Sequence, residues 1–363
     1  MNMHEARQYT EQTTGSKVNT VHRTIEANGV TIRVVEASPA QPVKEGDVRN
    51  RVLFSVGWGT NENTYESLQQ ELAVDREVIS LGHPRRGGDY STERGEATSS
   101  MPEVEWIKAQ NLLAYIKDRS VTEGKDAIHS KDSKFDLFCH SEGAINGIIA
   151  ACENPEAIGN IVLFGPAGLQ GDDKVLSLML RFGKKMAEEQ DQAKKERADV
   201  LTKRYSKLPS NIMPIEPGEL TSGGVEASWE EPSAVKATIQ EASVGTIKYL
   251  LGNVKRAIQE GRAIAETDIR GMLEYVQSRD IKVVVVQGVD DKAIPMGRVS
   301  STLAEGMSKS KLEKDAGLNK YINGFVSVPM LHDDPIQQAR ALAPALRGIF
   351  DTLSNPPKRQ RVR

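Results

Sequence analysis

Cysteine is nearly absent: Cys139 and Cys152 are the only two among 363 residues. Two thiols make no disulfide framework, and neither stands at metal-ligand spacing from another ligand. Both are expected as small core residues. Aromatic residues make up 5% of the chain, and no run of about eighteen apolar residues occurs, so no membrane span is expected. Charge of one sign is also missing. A formal net charge of -3 gives no global attraction to nucleic acid or anionic lipid, and no nucleic-acid partner is expected. The opening MNMHEARQYTEQTTG has no apolar stretch of the secretory kind, from which a cytoplasmic location is expected. Histidine is scarce as well, at six residues.

What is present is an alternation. VHRTIEANGVTIRVVEA flanks Asn28-Gly29, a strong short hairpin signal. RVLFSV (51–56), EVISLG (77–82), FDLFC (135–139), NIVLFG (160–165), IKVVVVQG (281–288) and YINGFVSV (321–328) read as strands. Helical patterns lie between them at TYESLQQELA, PEVEWIKAQNLLAYIKDR, GAINGIIAACEN and, at the end, PIQQARALAPALRGIF. The second of these places Trp106, Leu113 and Ile116 on one face. Continuous apolar strands separated by helices predict an α/β fold, a mostly parallel sheet with helices on both faces.

Between Gly165 and Asp280 the alternation stops. The stretch is helical in pattern and charged in its middle (KKMAEEQDQAKKERAD), then rich in Pro, Gly and Ser. Strands of one sheet flank it, so it reads as an inserted helical cap. The expected organisation is a tail at 1–19, a first core segment at 20–170, the cap at 171–278, a second core segment at 279–354 and a basic tail at 355–363.

FDLFCHSEGAINGII carries the chemistry. A strand runs through Cys-His-Ser-Glu-Gly directly into a helix, a turn that would strain Ser141 and hold its hydroxyl at the carboxyl edge of the sheet. Gly143 meets the need for a small residue after the serine, and Cys139 is small enough before it. The helix N-terminus favours negative charge developing there.

A serine nucleophile needs a base, and the base an orienting acid. Of His4, His22, His83, His129, His140 and His332, only His332 follows Ser141, in the loop after the last expected strand. The loop after IKVVVVQG offers Asp290 and Asp291. Asp291, four residues before Pro295, is preferred. For the oxyanion hole, the Glu142 N–H should supply one donor. VGWGTN should supply the other through Trp58, between Gly57 and Gly59.

Together these segments resemble the α/β-hydrolase superfamily over roughly residues 50–170 and 280–352, by motif order. VGWGTN resembles the H-G-x-G oxyanion loop with Val56 for the histidine, which is not a triad member. CHSEG resembles G-x-S-x-G with Cys139 for the first glycine. LFGPAGL (163–169) is similar to the segment leaving the sixth strand towards a cap. QGVDDKAIP resembles G-x-x-D-x-x-x-P and assigns the acid to Asp291, and LHDDP resembles the histidine loop. The resemblance implies an eight-stranded sheet with a cap after strand six. The serine speaks against haloalkane dehalogenases and epoxide hydrolases, which carry aspartate at that position.

The resulting expectation is a serine hydrolase acting on a small-molecule acyl substrate with no metal or organic cofactor. A non-catalytic ligand-binding protein and an acyltransferase are the alternatives. Val175, Leu178, Met179, Phe182 and Met186 recur at helical spacing in the cap, most of them expected to pack against the core. Met179, Phe182, Gly57 and His140 are the substrate-binding candidates. Arg85 and Arg86 in HPRRGG read chiefly as a solvated turn.

Overall fold

The computed structural model describes residues 17–41, 50–84, 88–123, 134–171, 173–175, 177–182, 252, 254–305, 319–328 and 330–354. Eight strands form one sheet: β1 (Val18–Ala27), β2 (Val30–Pro39), β3 (Arg51–Ser55), β4 (Val78–Leu81), β5 (Phe135–His140), β6 (Ile158–Phe164), β7 (Lys282–Gly288) and β8 (Gly324–Val328). Their spatial order is β1-β2-β4-β3-β5-β6-β7-β8. β2 is antiparallel to both β1 and β4, and β3 to β8 run parallel. The hairpin turns where expected, with Asn28 and Gly29 at φ of 52° and 70°, the pair of positive values that suits a tight two-residue connection.

The helices are α1 (Glu66–Leu72), α2 (Glu103–Glu123), α3 (Gly143–Glu153), α4 (Val254–Glu266), α5 (Arg270–Gln277), α6 (Met296–Ala304), α7 (Asp334–Gln337) and α8 (Ala339–Ser354). Side chains alternate across a strand, and here both sides are covered. Leu53, Leu137, Leu163 and Val285 pack with Leu112 of α2, Ile145 and Ile148 of α3, and Leu273 of α5. Phe54, Phe138, Phe164 and Val286 pack on the opposite face with Leu68 of α1 and Leu346 and Phe350 of α8. This is why the central strands read as unbroken apolar runs. Each such side chain, wholly buried, stabilises the fold by about 1.5–3 kcal/mol.

The structure differs from the sequence reading in four places. β1 starts at Val18, inside the expected tail, because its pairing with β2 extends to Val18↔Pro39. The final helix is two: Gln338, at φ -130° and ψ 46°, separates α7 from α8. Leu113 is only partly buried, whereas Leu112 and Tyr115 are fully buried, because the packed face of α2 is centred one residue away and includes Glu105 and Lys108. Lastly, α5 lies within the expected cap limits, yet Met272, Leu273 and Val276 belong to the core.

β6 and β7 pair directly from Asn160↔Lys282 to Phe164↔Val286, so the chain between them leaves and re-enters the same sheet. Most of the expected cap, the pair Arg85–Arg86, Met186, residues 1–16 and the basic tail at 355–363 lie outside the described residues. No helix among the described residues is long and apolar enough to cross a membrane.

One buried carboxyl ties the strand beginnings together. Asp136 Oδ1 accepts hydrogen bonds from Asn50 Nδ2 (3.0 Å), Asn160 N (2.7 Å) and Asn160 Nδ2 (2.9 Å). Burial pushes this carboxyl up from 3.8 to about 6 against those donors. A raised folded value makes the stabilising contribution complete at low pH and loses it as pH rises through about 6. The difference is worth about 3 kcal/mol at 1.36 kcal/mol per unit. Asp136→Asn keeps the Oδ1 acceptor and cannot ionise. Its stability relative to the parent should therefore rise by roughly that amount between pH 4 and pH 7.5, measured by urea unfolding at both. A difference that does not change with pH would refute this.

Candidate active site

The site forms where β3, β5, β6, β7 and β8 end. In open α/β sheets the crevice outside the carboxyl ends of the strands is where ligands bind. β5 runs to His140 and α3 begins at Gly143, leaving Ser141 to turn the chain. Its φ is 55°, the left-handed region that a residue with a Cβ rarely adopts. The turn is held because Ser141 N donates to Phe164 O at 3.0 Å, while Ser141 O accepts from Ala144 N and Ala167 N, each at 3.0 Å.

The sharpness of the turn brings α3 down onto β3. A Cβ at Gly143 would collide with the Ser55 carbonyl oxygen and lie 2.9 Å from Val56 O. Cys139 is fully buried beside β3 and burial pushes its thiol up. Across from it stands Gly147, where any Cβ would strike Cys139 Sγ. The volume that cysteine adds at the first elbow position is accommodated by that missing side chain.

β8 and β7 deliver the other two groups. His332 Nε2 is 2.8 Å from Ser141 Oγ, and His332 Nδ1 is 2.7 Å from Asp291 Oδ2. A carboxylate can only accept, so the Nδ1 proton belongs on His332 and Nε2 is left to accept from the serine hydroxyl. Asp291 is itself held: Gln287 Nε2 donates to Oδ2 at 3.1 Å and Ile294 N to Oδ1 at 2.8 Å. Asp290, the other candidate, is buried beside it and makes no hydrogen bond to His332. Gly165 closes the arrangement from β6. At φ 51° its absent Cβ would sit 3.0 Å from both Asp291 Oδ2 and His332 Nδ1.

The expected oxyanion loop lies against the serine. A Cβ at Gly57 would be 3.3 Å from Ser141 Cβ. The Gly57 N–H donates to Tyr65 Oη at 3.1 Å. The main-chain N–H groups of Trp58 and Glu142 donate to no backbone carbonyl among the described residues. Phe182 stands edge-on to both Trp58 and His332, with ring centroids 5.8 and 5.6 Å apart. Leu178 is fully buried in the core, and Met179 is on the exposed side of the same turn of helix; no described contact brings Met179 to Ser141.

His140 has partners other than the substrate expected for it. It is 2% exposed, with Nε2 2.8 Å from His332 O and Nδ1 2.5 Å from Tyr65 Oη. The carbonyl must accept, so Nε2 carries the proton, and Tyr65 donates to Nδ1. Burial pushes the Tyr65 hydroxyl up, keeping it a donor. A rigid relay, Gly57–Tyr65–His140–His332, thus joins the oxyanion loop to the histidine loop.

Tyr65, Gln287 and Gly165 were not marked by the sequence reading. Gln287 is the one polar side chain at the end of an otherwise apolar strand, a signal that was there to read. Tyr65 carried none. His140, His332 and Asp333 lie close enough to suggest metal ligands, but all four imidazole nitrogens already have partners, and the donor set does not fit a cation. A cavity of 810 Å³ opens elsewhere, between the start of α2 and α4, with Met101, Pro102, Arg256 and Ala263 in its wall; Ser141 and His332 do not line it.

No protein-family model matches the chain and no curated protein matches it. Solved structures do. A putative lipase from Acinetobacter baumannii is 11% identical, with 96% of this chain and 92% of that one covered and a TM-score of 0.52. A hydrolase from Pseudomonas aeruginosa is 15% identical over 91% and 97%, with a TM-score of 0.51. An esterase from Exiguobacterium antarcticum is 15% identical over 90% and 98%, at 0.50.

The chain has the α/β-hydrolase fold.

At such identities the likeness is one of architecture. Within the α/β-hydrolase fold this chain departs from the usual elbow at Cys139 and from the usual oxyanion loop at Val56, which is 2% exposed and packed in the α1–α8 side of the core. Elbow packing gives a direct test. Gly143→Ala sets a methyl against the carbonyl of a strand paired on both sides, with little room to yield. It should lower the unfolding free energy by about 2–3 kcal/mol, read from urea midpoints at constant slope.

Proposed function

We propose that this protein is a serine hydrolase that cleaves a carboxylic ester or related acyl bond. The observation that carries the reading is the run of contacts Ser141 Oγ–His332 Nε2 at 2.8 Å and His332 Nδ1–Asp291 Oδ2 at 2.7 Å, made by a serine at φ 55°. The esterase and lipase among the structural neighbours support the same class. In this mechanism His332 takes the Ser141 proton as the oxygen attacks the substrate carbonyl. The Trp58 and Glu142 amides receive the oxyanion. His332 then protonates the leaving group, an acyl-enzyme remains on Ser141, and water repeats the sequence. Asp291 holds the imidazole tautomer and stabilises the imidazolium. Neither a metal nor an organic cofactor enters any step. Phe182, edge-on to His332, would form an apolar wall for the acyl or leaving group, and the inserted segment would carry selectivity.

The reading is tested with a fluorophosphonate probe and peptide mass spectrometry. Ser141 should be the labelled residue. His332→Ala should abolish labelling, and Asp291→Asn should slow it by about four orders of magnitude through the wrong tautomer. A folded protein in which Ser141 takes no label would remove the catalytic reading and leave a ligand-binding role.

A further inference from the structure

The proton chain from Ser141 to Asp291 leaves unexplained a second buried network on the other side of the serine. Glu142 and Trp58, the two residues whose N–H groups are proposed to hold the oxyanion, point their side chains at a common pair. Lys108 Nζ of α2 lies 2.6 Å from Glu142 Oε1 and 3.0 Å from Glu260 Oε1 of α4. Trp58 Nε1 donates to Glu260 Oε2 at 3.0 Å. The side chains of Lys108, Glu142 and Glu260 are 4%, 1% and 0% exposed. Arg256 completes the group, its Nε 2.9 Å from Glu260 Oε1 and its Nη1 2.7 Å from Pro84 O.

Such burial is costly. Ion pairs taken out of water rarely add net stability, whereas removing one partner leaves an uncompensated charge. Apolar residues of similar size would pack α2 against α4 at least as well. What the charged set adds is geometry: two loops that never contact each other in sequence are tied to one lysine and one carboxylate. It also adds charge balance. An unneutralised Glu142 carboxylate would sit one residue from the developing oxyanion and oppose it. Burial and neighbouring Glu105 push the Glu142 carboxyl up, while Lys108 acts against them.

We infer that Lys108 and Glu260 are positioning residues of the oxyanion hole, clamping the Trp58 and Glu142 amides at the distance the tetrahedral intermediate needs. The inference rests on the hydrolase reading above. Because Glu260 belongs to α4, the helix that returns from the inserted segment, seating of that helix is then a condition for a formed hole.

The test uses the full chain, p-nitrophenyl acetate turnover, and a trifluoromethyl ketone that forms a tetrahedral adduct on serine. Lys108→Met and Glu260→Leu should each lower kcat by about 10²-fold, the cost of a small misplacement, with KM within about threefold. Ketone affinity should fall in parallel with kcat/KM. Glu260→Gln, which keeps an acceptor for Trp58, should recover most of the loss. Trp58→Phe removes the indole N–H, together with the fused-ring edge that faces Gly261, and leaves the main-chain donor, so it serves where a charge variant does not fold. It should reduce kcat and ketone affinity together by about 10-fold. Unchanged kcat and ketone affinity in folded variants would overturn the clamp, as would a loss confined to KM. A parent protein that turns over no ester and takes no label at Ser141 would overturn the hydrolase reading itself, and the clamp with it.

Discussion

The approach of α3 to β3 is the constraint on which the site depends. The helix passes so close that only Gly143 fits over the Ser55 carbonyl. The chain can reach that position from β5 only by turning within one residue, and Ser141 absorbs the turn at φ 55°. The strain is small beside the apolar burial on either side of the sheet, and it is over-determined by three backbone hydrogen bonds at 3.0 Å. Its consequence is that the serine hydroxyl projects from the sheet edge rather than packing along a strand.

Everything else at the site is arranged around that fixed oxygen. β6, β7 and β8 each end at this edge, so His332 reaches the serine oxygen and Asp291 reaches His332 at hydrogen-bond distance, with Gly165 close against the pair. Two polar networks then hold the walls. Tyr65 and His140 join the Gly57 loop to the His332 loop. Lys108 and Glu260 join Glu142 to Trp58. Both are almost wholly buried, and their members come from β5, α2, α4 and the loops after β3, β5 and β8, so neither set of contacts exists until the sheet and its helices are assembled.

Much of the frame was legible beforehand. The six single strands after the hairpin appeared as apolar runs because the sheet is buried on both faces. The Ser141, Asp291 and His332 positions followed from order and loop placement, since each group needs only a strand end to bring it to the same edge. Of the substrate-binding candidates on the cap stripe, Phe182 stands edge-on to His332, while Met179 falls on the exposed side of its helix. The reading failed where a residue type has two uses. His140, a substrate-binding candidate by sequence, instead has its ring nitrogens held by Tyr65 Oη and the His332 carbonyl. Glu105 and Lys108 lie at i and i+3 on an otherwise apolar face of α2, a signature of buried charge, but their partners are more than thirty positions away.

The sequence alone determined the alternation of strands and helices, the single histidine available after the serine, and the small residues around the elbow. Those are local properties, set by periodicity, backbone sterics and chain order. Tertiary structure alone decided what holds Asp291 in place, which tautomer it imposes on His332, and which buried charges neutralise one another. Hydrogen bonds and ion pairs depend on distances of about 3 Å, and separation along the chain says nothing about distance until the sheet has brought its strand ends together.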